Sequence, residues 1–117
     1  MRIGELVSLL GCECAQGEYD DASVGSGYSS DLLSDVMANA SAGAVLVTIQ
    51  AHKNTIAVAS LLGLAAVVIC NGRPLPEDML EAARAERIAV FRTGFSQFEV
   101  SGRLWTALRG PATAAAP

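Results

Sequence analysis

Aromatic residues make up only 5% of this sequence, and a chain so poor in flat rings has little with which to stack nucleic-acid bases. Positive charge is short as well. Eight Lys and Arg stand against twelve Asp and Glu, a net charge of −4, whereas duplex binding draws most of its affinity from cations that neutralise phosphates. Nucleic acid is therefore not an expected partner. No apolar run reaches the roughly 20 residues that a membrane helix needs; the longest, Thr55 to Cys70, is interrupted by Gly63, so no membrane span is expected. Glu5 falls where a signal peptide would carry its apolar core, which argues against export. Cys12, Cys14 and Cys70 are an odd number without the dense spacing of a secreted disulfide framework, and they fit a reducing cytoplasm. The phosphate-loop pattern Gly-x-x-x-x-Gly-Lys-Ser/Thr is missing, so a kinase or NTPase of that class would have no cradle for its phosphates.

What the sequence does have is small aliphatic material. Hydrophobic residues are 51% of 117 positions and charged ones 17%, enough for one dense core and one domain. Ile3, Leu6, Val7 and Leu10 repeat at helical spacing, with Gly11 placed for a left-handed C-cap. Cys12–Gln16 and Ala22–Val24 read as short strands. Gly25 to Asp31 reads as a polar loop in which Ser29 or Ser30 caps a helix whose apolar face is Leu32, Leu33, Val36 and Met37.

From there strand and helix alternate. Ala44–Ile49 is a β-branched run, and Asn54 is an N-cap candidate for a helix through Leu62. Ala65–Cys70 is a second apolar strand, Pro76-Glu77-Asp78 opens the next helix, and Ile88–Phe91 is the last strand. Ser96 and Glu99 have capping-box spacing, with Phe95 and Val100 at staple positions, before a helix to about Leu108 in which Phe98, Leu104 and Trp105 read as core. Strands apolar on both faces, alternating with helices, predict a mainly parallel sheet flanked by helices: a single compact α/β domain over 1–109. The remainder, 110–117, has no pattern and is expected to be a disordered tail.

Chemistry is sparse. Gly25-x-Gly27 lacks the third glycine of a dinucleotide fingerprint, Ser30 standing in its place, and suits an ordinary turn. Cys12 and Cys14, two apart on a strand, would share a face. With His52 they suggest zinc only if Cys70 converges on them, and small buried hydrophobes is the simpler reading. His52 alone makes no triad. No catalytic residues, metal or cofactor are therefore expected, and the chain reads as non-enzymatic. In a parallel sheet ligands bind at the carboxyl ends of the strands. The loops there hold Gln50, His52, Lys53 and Asn54; then Asn71, Gly72 and Arg73; then Thr93 and Ser96, joined by Ser29 from the first loop. With Arg92 beside them, these cations and the helix N-termini suit a small anion or phosphate-bearing ligand. The plainer alternative is that βα turns need Gly, Asn and Ser in any case.

The segments Gly27-Tyr28-Ser29-Ser30-Asp31-Leu32-Leu33-Ser34-Asp35-Val36-Met37-Ala38-Asn39-Ala40, Val47-Thr48-Ile49-Gln50-Ala51-His52-Lys53-Asn54, Asn71-Gly72-Arg73-Pro74 and Phe98-Glu99-Val100 together resemble stand-alone DRTGG-domain proteins. Related domains accompany catalytic domains in some phosphate acetyltransferases and in pyrophosphatases that carry CBS domains, and the fold is similar to the non-catalytic N-terminal domain of HPr kinase. The resemblance implies a regulatory or dimer-forming module; with the cationic loops it leads to the expectation of a homodimer that senses a small anionic or nucleotide ligand, the alternative being an adaptor for a protein partner with the loops serving only as turns. Where the family name has Asp-Arg this chain has His52-Lys53-Asn54, and its Gly-Gly appears as Asn71-Gly72.

Overall fold

The computed structural model describes residues 1–109; the expected tail lies outside them. A 3-10 turn, Ile3–Glu5, leads into helix α1 (Leu6–Leu10) and strand β1 (Glu13–Gln16). Then come β2 (Ser26–Ser29), α2 (Leu33–Asn39), β3 (Ala44–Thr48), α3 (Lys53–Leu62), β4 (Ala66–Ile69), α4 (Glu77–Glu86), β5 (Ala89–Arg92) and α5 (Gln97–Arg109). The sheet order is β1-β5-β4-β3-β2, with β2 to β5 parallel and β1 antiparallel at the edge.

That order explains the layers. Each crossover, β2-α2-β3, β3-α3-β4 and β4-α4-β5, moves one strand in the same direction, so a common right-handed twist puts α2, α3 and α4 on one face. The other face is left to the chain ends. Leu6, Leu10, Val100 and Leu104 cover Val45, Val47, Val68 and Phe91, while Val36, Ile56, Met79 and Ala83 cover Leu46, Val67, Ile69 and Val90. Alternate residues of each strand feed opposite cores, which is why β3 and β4 are buried at every position.

Several sequence expectations need correction. Ala22–Val24 is no strand and makes only an isolated bridge, Ser23 to Arg2; the strand lies in the segment read as a polar loop, Ser26–Ser29. Backbone pairing with the apolar β3 draws a Gly-Ser sequence into the sheet, and at Gly27 a side chain would force Leu104 to shift, because a Cβ would sit 2.5 Å from Leu104 Cδ2. The residue at the N-cap of α2 is therefore Leu32, and neither Ser29 nor Ser30. Val7, Leu32 and Met37 face solvent, so the apolar stripes of α1 and α2 are narrower than their composition suggested. His52, not Asn54, caps α3.

The capping box at α5 is half formed. Ser96 Oγ accepts from Glu99 N at 3.2 Å, but the Glu99 carboxylate turns to Arg103, 3.0 Å away, and the Phe95 ring stacks under the Arg103 guanidinium. Leu104 is core, whereas Phe98 and Trp105 are exposed.

Candidate functional site

The carboxyl ends of the parallel strands are organised around a residue that the sequence analysis passed over as part of a loop. Asp31 follows β2, and its Oδ1 accepts from Thr48 Oγ1, Ile49 N and Gln97 Nε2, each at 2.9 Å. Its carbonyl accepts from Gln50 Nε2, also at 2.9 Å. One carboxylate thereby joins the loop after β2, the loop after β3 and the first turn of α5. The sequence signal available was an Asp shortly after a strand, too common to single out without knowing that three donors converge on it.

Around this pin the expected ligand residues separate into committed and available groups. Gln50 is tied to Asp31, and its carbonyl accepts from Thr55 Oγ1 at 2.8 Å. His52 Nδ1 accepts from Asn54 N at 3.0 Å, so the imidazole serves as the N-cap of α3 and its Nδ1 is the unprotonated nitrogen. Lys53 and Asn54 are exposed on the first turn of α3 and flank a groove toward α4 that includes Ser60, Leu61, Ala82 and Glu86.

The loops after β4 and β5 diverge to helices on opposite faces, which in an open sheet would leave a crevice between them. Here it is laced shut. Asn71 and Gly72, both left-handed with φ of 62° and 63°, donate their N–H groups to Phe95 O and Thr93 O. Arg92 donates to the Arg73 and Gly72 carbonyls at 2.8 Å and pairs with Glu13 at 3.5 Å. Thr93 is buried, its hydroxyl donating to Gly11 O and accepting from Phe95 N. The Thr93 hydroxyl, the Arg92 guanidinium and the Asn71 and Gly72 amides are thus occupied within the fold, while Arg73 is exposed. Ser96 spends its hydroxyl on the α5 cap. Ser29 points away from the edge loops to Ser101 of α5, with which it shares a hydrogen bond. The structure therefore gathers Gln50, His52, Lys53 and Asn54 into one continuous stretch, and separates Ser29 from it.

The cysteines do not converge as a site. Cys12 precedes β1 and is buried, Cys14 is exposed on the edge strand opposite Phe91, and Cys70 is buried. Among the described residues no group of three or more His, Cys, Asp or Glu side chains is placed to hold a metal ion. Burial, with Cys14 nearby, pushes the Cys12 thiol from 9.0 to about 11; burial, with the Asp31 carboxylate nearby, does the same for Cys70. Two pKa units lower the thiolate fraction about 100-fold near neutral pH. Burial raises the Cys14 thiol as well, but the residue is exposed; Ellman's reagent at pH 8 should therefore modify Cys14 first, and Cys12 and Cys70 only after urea is added, with Cys14→Ser abolishing the first phase. Because the unfolded chain ionises these thiols first, stability should fall as pH rises from about 9 to about 11.

Among the described residues no helix is long and apolar enough to cross a membrane. No family model matches the chain, and no curated protein matches it. Among solved structures, it is similar to the crystal structure of the CBS and DRTGG domains of the regulatory region of Clostridium perfringens pyrophosphatase, complexed with the activator diadenosine tetraphosphate. The TM-score is 0.67 at 14% identity, over 87% of this chain and 44% of that one, so the chain spans less than half of the protein it matches. The five-stranded, mostly parallel sheet with its flanking helices is a DRTGG-like fold.

Proposed function

We propose that this chain is a non-enzymatic regulatory module of a reducing cytoplasm, which forms homodimers and senses a small anionic or nucleotide ligand at the carboxyl edge of its sheet. The observation that carries the ligand reading is the exposure of Lys53 and Arg73, with the His52 imidazole beside Lys53, on that edge in an otherwise acidic chain. The likeness to a regulatory region bound to a nucleotide activator supports it. The exposed Asn54 side chain would add a neutral donor, and Gln50 would set the loop through Asp31.

Thermal denaturation in the presence of nucleotides, including diadenosine tetraphosphate, phosphorylated metabolites and simple anions tests this. A specific ligand at about 100 times its Kd adds about 2.7 kcal/mol, a rise of roughly 10 °C for a domain of this size. The double variant His52→Ala with Lys53→Ala, and separately Arg73→Ala, should abolish the rise. A rise that survives both variants would remove these residues from the site.

The exposure of Phe98 and Trp105 favours a second reading, a protein-interaction adaptor for a metabolic enzyme, with the edge loops serving only as turns. The absence of any ligand-induced rise would leave that reading ahead.

A further inference from the structure

We infer that the groove between α3 and α4 binds a nucleoside 5′-phosphate whose base carries an exocyclic amino group, with the phosphate at Lys53 and the amino edge of the base at Ser60 and Glu86. The inference rests on the anion-sensing part of the reading above and gives that ligand a body and a direction. Charge sets the direction. Arg2, Arg84, Arg87, Arg92 and Arg103 each pair with a carboxylate and Arg109 stacks on Trp105, so among the described residues Lys53 and Arg73 are the cations without an acidic or aromatic partner. Both stand at the carboxyl edge, and Lys53, the first residue of α3, lines the near end of the groove.

The middle of the groove is apolar and unobstructed. Ile56 and Ala57 of α3 and Ala82 and Ala85 of α4 line it, and three of these four reach no further than a Cβ. Leu61, 70% exposed, walls the far half. The cavity of about 560 Å³ lies within the range of small-molecule sites. From Lys53 to Ser60 the helix rises about 10 Å. That is the reach of an extended nucleoside monophosphate from its phosphate to the far edge of its base.

The far end selects the base. Ser60 Oγ donates to Glu86 Oε1 at 2.6 Å, which spends the serine's one proton, so this end offers acceptors alone: the carboxylate oxygens and the Ser60 lone pairs. An acyl chain would set its methyl end against a carboxylate and strip its water, and a second anionic group would be repelled. A donor is required there. The amino groups of adenine, cytosine and guanine supply one on a flat body with apolar faces, whereas hypoxanthine and uracil carry an oxygen where adenine and cytosine carry the amine.

Isothermal titration calorimetry of the full chain with adenosine 5′-monophosphate and inosine 5′-monophosphate tests the assignment. The adenosine compound should bind about tenfold more tightly, and cytidine monophosphate should exceed uridine monophosphate likewise, because the wrong base leaves the acceptors at Glu86 unpaired. Lys53→Ala should weaken adenosine monophosphate about tenfold, to the level of adenosine itself. Glu86→Gln, whose amide can donate, should reverse the base preference, which a damaged fold cannot do. Ala85→Leu, at an exposed helical position that accepts leucine, fills the groove and should abolish binding with the melting temperature of the free protein unchanged. Adenosine monophosphate bound without discrimination against the inosine compound, and without sensitivity to Ala85→Leu, would overturn the groove assignment and leave the edge reading standing. No binding of any of these monophosphates at millimolar concentration would overturn it too. The edge reading then survives if a simple anion still raises the melting temperature through Lys53 and Arg73, and falls as well if none does.

Discussion

Asp31→Ala is expected to lower the melting temperature by about 10 to 15 °C, although the residue is only partly buried. Its Oδ1 accepts three hydrogen bonds at 2.9 Å, and one of the donors, Thr48, is fully buried. A hydrogen bond to a charged group contributes about 1.5–3 kcal/mol, and a buried donor left without a partner costs its desolvation. Allowing for water that can reach the Ile49 and Gln97 donors, the set is worth about 3 kcal/mol, which for a domain of this size is the stated shift. Asp31→Asn keeps an oxygen acceptor and should lose less than half as much. Calorimetry of the two variants separates the cases: equal and small losses would show that the carboxylate is not the pin. Hydrogen exchange should locate the damage, with amides of 49–55 and 95–98 opening in Asp31→Ala before those of β3 and β4.

The second large effect is expected at Gly11, where two constraints coincide. Its φ of 69° caps α1 in the left-handed region, and a Cβ there would lie 2.8 Å from Phe95 Cε2 and 3.1 Å from Arg103 Nη1. Left-handed backbone costs an L-residue about 1 kcal/mol. The crowding must in addition displace the Phe95 ring from beneath Arg103, so Gly11→Ala should cost about 2–3 kcal/mol in urea denaturation. Gly63 provides the control, because it caps α3 with the same φ of 69° but the nearest atom to its Cβ position is Ala42 Cβ at 3.8 Å. Gly63→Ala should cost about 1 kcal/mol. Equal losses at the two positions would mean that the Phe95 ring moves aside without resistance.

Both effects arise where separate parts of the chain meet, and this is also where sequence reasoning stopped. The apolar runs of β3, β4 and β5, the helix cap at Gly11 and the start of α4 were legible because each depends on residues close together in sequence. β2 was not, since Ser-Gly-Tyr-Ser has the composition of a loop and becomes a strand only because β3 offers it an open edge. The roles of the candidate ligand residues were hidden for the same reason. Thr93 and Arg92 stand at the predicted edge as expected, but their polar groups are taken by Gly11, Phe95, Glu13 and the turn after β4, partners as far as 82 residues away.

The sequence by itself determined the α/β class and the stretch from Gln50 to Asn54 at the carboxyl edge, because periodicity and caps are local properties of the chain; that the apolar residues divide into two cores, one on each face of the sheet, it did not. Tertiary structure decided the rest. Which helices share a face follows from three crossovers stepping the same way, the free and occupied polar groups follow from which loops the sheet order sets side by side, and the outward aspect of Phe98 and Trp105 follows from the turn of α5 that buries Val100 and Leu104. Each of these depends on the distance between residues far apart in the chain, which no local pattern encodes.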